Sequence, residues 1–209
     1  MSEATFQTVR TAAEATLEEK RSVFIAACRR VESEAEAEAF LRERRRAHPD
    51  ARHTVHAFLL RDGKCRFSDD GEPQGSSGAP TLEIIRRAGL SDVCVATTRY
   101  FGGILLGTGG LLRAYSAAAK AALSAAGTLS YLPFTECELA LSYPDYQRLR
   151  SELPRWGARE RGTAFADGVT LTLGVPAAVF ADFARRVADL TAGKTQPRAL
   201  FTRPDVENL

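Results

Sequence analysis

Three stretches of this 209-residue chain place reactive or charged side chains close together. The first, Ser68-Asp69-Asp70-Gly71-Glu72-Pro73, holds three carboxylates within four positions. Carboxylates so close repel one another unless cations or backbone donors neutralise them. Asp69, Asp70 and Glu72 could therefore supply hard oxygen ligands for Mg²⁺ or a general base. They could equally form an acidic turn that caps backbone amides and pairs with arginines. On these residues alone the second reading is preferred. The second stretch is Arg99-Tyr100-Phe101-Gly102-Gly103, where Arg99 and Tyr100 could meet a phosphate, a base or a peptide. The alternative makes the aromatics core or hinge residues and lets Gly102 and Gly103 form a turn. The third stretch is Gly107-Thr108-Gly109-Gly110, at the start of an alanine-rich helix. Free amides at a helix start favour an anion, and Thr108 could cap the helix. Arg113 and Ser116 follow within two turns, with Tyr115 between them, and Arg113 could clamp a phosphate. A tight strand-to-helix turn is an equally good account of the glycines. His53 is a further candidate, since it begins a strand and could reach the acidic loop. The three stretches are expected to converge, with Asp70, Arg99 and Arg113 on one face.

The elements that must hold them read as follows. Val23–Ala27 is a short apolar strand. Ser33, with Glu36 three residues on, resembles a capping box that opens a helix over Glu34–His48. Arg42, Arg44, Arg45 and Arg46 lie outward on it, a solvated face or an RNA-contacting patch. Thr54–Leu60 and Cys65–Phe67 are strands joined by an Asp62-Gly63 turn. Helix Leu82–Ala88, strand Val93–Thr98 and helix Leu111–Ala126 complete a first domain, assigned to residues 1–132. Leu129–Phe134, with Pro133, reads as a linker. Residues 133–209 then alternate as β-α-β-β-α-β, the split ferredoxin-like order. Its last strand is Ala199–Thr202, and Arg203–Leu209 reads as a frayed tail.

Composition narrows the function. Residues 1–132 hold 18 basic and 16 acidic side chains, and residues 133–209 hold 10 of each. Bulk charge therefore announces no nucleic-acid binder, and any such surface must come from local placement. The four cysteines form no CxxC pair, which fits reduced thiols better than disulfides or a zinc site. No run approaches about 20 apolar residues, and the first ten residues lack a secretory core, so a cytoplasmic protein is expected. No Gly-x-Ser-x-Gly elbow, HExxH or kinase signature set appears, and the glycine cluster lacks the Walker lysine. No catalytic residue, metal or cofactor is assigned.

The motifs SDDGEP, TRYFGG, LGTGG and LLRAYSAA, in this order and spacing, closely resemble the IMPACT/YigZ family. KRSVFIAACRRV and AHPDARHTVHAF fit its N-terminal pattern, so the likeness is strong from Lys20 to Ala126. The resemblance implies an α+β chain. Its first domain would share the fold of the second domain of ribosomal protein uS-five and of translocase domain IV. Its second domain would be ferredoxin-like, similar to translocase domain V. One departure is that Gly75-Ser76-Ser77-Gly78 stands where the family reads Gly-Thr-Ala-Gly. Eukaryotic relatives regulate translation by restraining a starvation-activated kinase. The reading that follows is a regulator of translation that binds the ribosome, RNA or a translation-factor partner. The alternatives are a nucleotide- or Mg-dependent enzyme, with a phosphate or small-molecule ligand at the glycine-rich helix start, and a protein-interaction module in stress signalling.

Overall fold

The computed structural model of the chain describes residues 5–207, which divide into two units, one of residues 6–129 and one of residue 5 with 130–207. The first unit runs β1 (Phe6–Val9), β2 (Ala13–Glu19), β3 (Ser22–Arg30), α1 (Glu34–Ala47), β4 (His53–Leu59), β5 (Cys65–Ser68), α2 (Gly78–Arg87), β6 (Val93–Tyr100) and α3 (Gly107–Ala126). Strands β2-β3-β6-β4-β5 form one sheet, antiparallel throughout. Helices cover both faces. Phe24, Ala26, Val55, Ala57 and Val95 pack with Leu82 and Ile85 of α2 and with Ala114, Tyr115, Ala118 and Ala122 of α3. Ala27, Phe58, Cys94 and Ala96 meet Ala37, Phe40 and Leu41 of α1 on the other face. Two-sided burial explains why β6 is an unbroken buried run over Val93–Arg99 rather than an alternating one.

Local chemistry sets the ends of these elements. Ser33 accepts the Glu36 N–H at 3.2 Å, and Glu36 reaches back to the Glu32 N–H at 2.9 Å. Gly63, at φ +89°, turns the β4–β5 hairpin. Helix α3 begins at Gly107, four residues earlier than expected. Its cap position is Leu106, which supplies no side-chain bond, so Thr108 lies inside the first turn and does not cap it.

The second unit comprises β7 (Thr128–Leu141, from Ser130 onward), α4 (Tyr143–Glu152), β8 (Arg159–Phe165), β9 (Val169–Pro176), α5 (Phe180–Leu190) and β10 (Arg198–Val206). Its strand order β10-β7-β9-β8, all antiparallel, is the ferredoxin-like arrangement expected. Leu139, Leu171 and Leu173 of the sheet bury against Leu149, Phe183 and Val187 of the helices.

Two expectations at the ends of this unit are corrected. Leu129–Phe134 is not a linker but part of one strand, β7. Pro133 is tolerated because pairing with β9 begins only at Phe134. The expected tail is strand as well over residues 203–206, while Asn208 and Leu209 lie outside the described residues. Arg203 bonds Glu136 at 2.9 Å, and Asp205 pairs with Arg159 and Arg161, which pins that segment to the sheet. The four cysteines are free, with Cys65 exposed and the other three buried. Burial raises the Cys28 thiol to about 11 and the Cys94 and Cys137 thiols to about 12, so these three stay protonated. Among the described residues no helix is long and apolar enough to cross a membrane.

Candidate functional site

The acidic loop leaves β5 and leads into α2, and its three carboxylates turn to three different sets of donors. Asp69 faces the start of α2. One of its oxygens accepts from the Ser77 and Gly78 N–H groups at 3.0 and 2.8 Å and from the Ser77 hydroxyl at 2.7 Å. The other accepts from the Gly75 N–H at 2.8 Å. Asp69 thus caps α2 from a distance, and Ser77, at the departure from the family pattern, adds a bond. Gly78 has a reason of its own: a Cβ there would stand 2.7 Å from the Ser68 carbonyl.

Partial burial opposes the charged form of Asp69, but the Gly78, Gly75 and Ser77 donors outweigh it and hold the carboxyl below its ordinary range. A depressed folded-state pKa contributes stability above the unfolded value, and that contribution is lost as pH falls through the folded one. Asp69→Asn, which turns an amide N–H₂ toward these donors, should flatten the acid limb of the stability–pH curve. Urea midpoints across an acid pH series check this.

Asp70 accepts the Thr54 N–H at 2.7 Å and meets Arg45 at 3.4 Å. Its carbonyl receives His53 Nδ1 at 2.8 Å, so His53 does reach the loop. Glu72 turns inward. It lies 2.8 and 3.1 Å from one Arg99 nitrogen and accepts the Tyr115 hydroxyl at 2.7 Å. Arg99 is only 7% exposed. Its guanidinium stands 5.5 Å from the ring centroids of both Phe24 and Phe101, while its Nε has no hydrogen-bond partner among the described residues. Ser22 completes the cluster. Its hydroxyl lies 3.4 Å from Arg99 and accepts the Gly102 N–H at 3.2 Å. Burial, then the bond to Glu72, drives the Tyr115 phenol far upward, so it remains a donor at every accessible pH.

The expected convergence is therefore partial. Glu72 and Arg99 meet, but Asp70 lies with Thr54 and Arg45, and Arg113 is exposed on α3, with Nη1 3.7 Å from where a Gly109 Cβ would be. Residues 113 and 115 project from α3 about 160° apart, so burying Tyr115 turns Arg113 outward. Tyr100 is tied to His48, the residue at the C-terminal cap of α1, at 3.0 Å. Ser116 is half-buried. Gly102 presses on the Arg21 backbone, whereas Gly103 has open space around it. Tyr115, Ser22 and Phe24 were missed as members of the cluster. Among the described residues no group of three His, Cys, Asp or Glu is arranged to hold a metal.

The outer surface above this cluster has a different character. Phe101, Ile104, Leu105 and Leu112 are exposed, Leu105 by 83%. They flank the uncapped start of the 20-residue α3, and Arg113 is exposed beside them.

Comparison with known proteins bears on both units. Residues 20–123 match the model for the Impact N-terminal domain, and residues 139–194 match a domain of unknown function, DUF1949. IMPACT family member YigZ of Escherichia coli (strain K12) is 34% identical over 185 residues, covering 87% of this chain and 91% of that protein. IMPACT family member YvyE of Bacillus subtilis (strain 168) is 30% identical, covering 90% and 88%. A solved structure described as a hypothetical protein superposes with TM-score 0.61 at 31% identity, covering 94% of this chain and 98% of that one.

Proposed function

The chain belongs to the IMPACT family, and from that premise we propose that it is a translation-linked binding protein whose Phe101–Arg113 segment contacts ribosomal RNA. The observation that carries this reading is the exposure of four large apolar side chains within that segment, between the buried strand β6 and the one-sidedly buried helix α3. Soluble chains leave such patches open where something else covers them. Phe101, 56% exposed, offers a face on which a base stacks. The first-turn amides of α3 and the Arg113 guanidinium offer donors to phosphate. The buried cluster has a supporting role here, because Arg99 lies beside the inner face of Phe101 and Ser22 fixes Gly102. On this reading the protein works in the cytoplasm, where ribosomes are.

The test is co-sedimentation with ribosomes across a salt series. Binding should fall steeply with salt. Phe101→Ala/Arg113→Ala should weaken it by about tenfold or more, given the usual worth of one stacked base. Salt-insensitive binding, or equal binding by the variant, would sink the reading. A second reading rests on Ile104, Leu105 and Leu112, whose aliphatic character suits a protein partner. Recovery of a translation factor without ribosomal proteins, lost in Leu105→Ser, would favour it.

A further inference from the structure

A cleft of about 330 Å³ opens between α1 and the β4–β5 hairpin, on the sheet face opposite α2 and α3. His56 and Phe58 form its floor. Arg42 and Arg45 of α1 and Arg66 of β5 line its walls. We propose that this cleft binds a phosphoryl group, carried either by a small metabolite or by the end of an RNA.

Three arginines line this recess, with Glu38 as the carboxylate among the lining residues and Asp70 and Glu34 at its edges. Each is held at one edge. Arg45 meets Asp70 at 3.4 Å, Arg66 meets Glu34 at 2.8 Å and Glu38 at 3.4 Å, and Arg42 stands 4.0 Å from Glu38. A guanidinium has five N–H donors, so these contacts orient the groups and leave most donors for a ligand. A merely solvated arginine face is convex. This one is the wall of a recess with an aromatic floor, and the Arg66 guanidinium is 5.9 Å from the Phe58 centroid.

His56 gives the recess a reason to prefer phosphate. The residue is 7% exposed, and its Nδ1 lies 3.3 Å from the Thr54 carbonyl. That contact makes Nδ1 the donor and leaves Nε2 available to a ligand. Burial lowers the imidazolium pKa. The Thr54 carbonyl and Asp70 oppose this, while Arg45 and Arg66 add to it, so the neutral ring presents a lone pair at Nε2. Inorganic phosphate is partly monoprotonated near neutral pH and can donate that proton to Nε2; a phosphomonoester loses its own nearer about pH 6, and sulfate has none to donate.

Calorimetric titration of the full chain with inorganic phosphate tests the proposal. Saturable binding is expected, about tenfold weaker in Arg45→Ala and in Arg66→Ala. Glu38→Gln, which removes the lining negative charge, should tighten it severalfold. Arg87→Ala, paired with Glu83 on α2, should change nothing, and neither should Phe101→Ala/Arg113→Ala, so failure here is separable from failure of the ribosome reading. Competition by AMP would assign the site to a metabolite. Preference for a 5′-phosphorylated over a 5′-hydroxyl oligoribonucleotide would assign it to RNA ends. Non-saturable uptake, equal affinity in wild type and both arginine variants, no tightening in Glu38→Gln, or sulfate binding as well as phosphate would each overturn the proposal.

Discussion

Replacing Arg99 with methionine while Glu72 stays should lower the unfolding free energy of the first unit by about 3–5 kcal/mol. The side chains of this pair are 8% and 4% exposed. Removing one partner strands a charge in a region where water cannot reach it, and a stranded charge costs more than the intact pair contributes. Glu72→Met should cost a similar amount, because it leaves the guanidinium unpaired and the Tyr115 hydroxyl without its acceptor. The double variant removes both charges and should lose about 2 kcal/mol or more less than the sum of the singles. The measurement is hydrogen exchange of the β3 and β6 amides under native conditions. The one tryptophan, Trp156, lies in the second unit and would report the wrong transition. Simple additivity of the two singles would mean that the 2.8 Å contact is energetically idle. The cycle also bears on function. Arg99 lies beside the ring of Phe101, so loss of the pair should loosen the exposed segment before the sheet itself opens.

Which parts of this molecule were legible in the sequence follows from which interactions are local. Strands β4 and β6 stand out because apolar runs bounded by turn residues have few other uses, and Asp62-Gly63 marks its hairpin directly. The alternation after residue 135 carries the ferredoxin-like order because each helix and strand has its own periodicity. Strand β2 was hidden. Its residues, AEATLEE, have low strand preference, and the turn to β3 is made by Lys20 and Arg21, at φ +47° and +64°, without glycine or asparagine. The true extents of β7 and β10 were hidden because Pro133 lies opposite Pro204, and a proline in each strand reads as a boundary. The site was half legible. The motifs identified Glu72 and Arg99 as candidates, but which carboxylate Arg99 would choose depends on the distance between a loop and a strand 27 residues away. Tyr115 carried one signal: it lies two positions from Arg113 on a helix that can bury only one of those faces. Ser22 carried none, since its role arises only where the β2–β3 turn meets the Gly102 backbone.

That meeting makes Gly102 the most sensitive glycine among the described residues. A Cβ there would lie 2.0 Å from the Arg21 carbonyl carbon and 2.2 Å from its oxygen. The obstacle is backbone, so no rotamer change relieves it. Gly102→Ala must either push the Lys20–Arg21 turn outward or pull the segment after β6 off the sheet. Both routes break the Ser22–Gly102 bond and disturb the Ser22 contact with Arg99. The cost should reach the upper end of overpacking, about 3 kcal/mol. Gly103→Ala supplies the comparison. Gly103 has φ +83° and nothing within 4 Å of a Cβ, so only conformational strain applies, about 1 kcal/mol. Thermal unfolding and hydrogen exchange of the β2–β3 amides separate the two variants. If they are destabilised equally, backbone conformation rather than close approach explains the glycine pair. If Gly102→Ala also loses ribosome association at a temperature where it is folded, the β2–β3 turn is shown to hold the exposed segment in its binding shape.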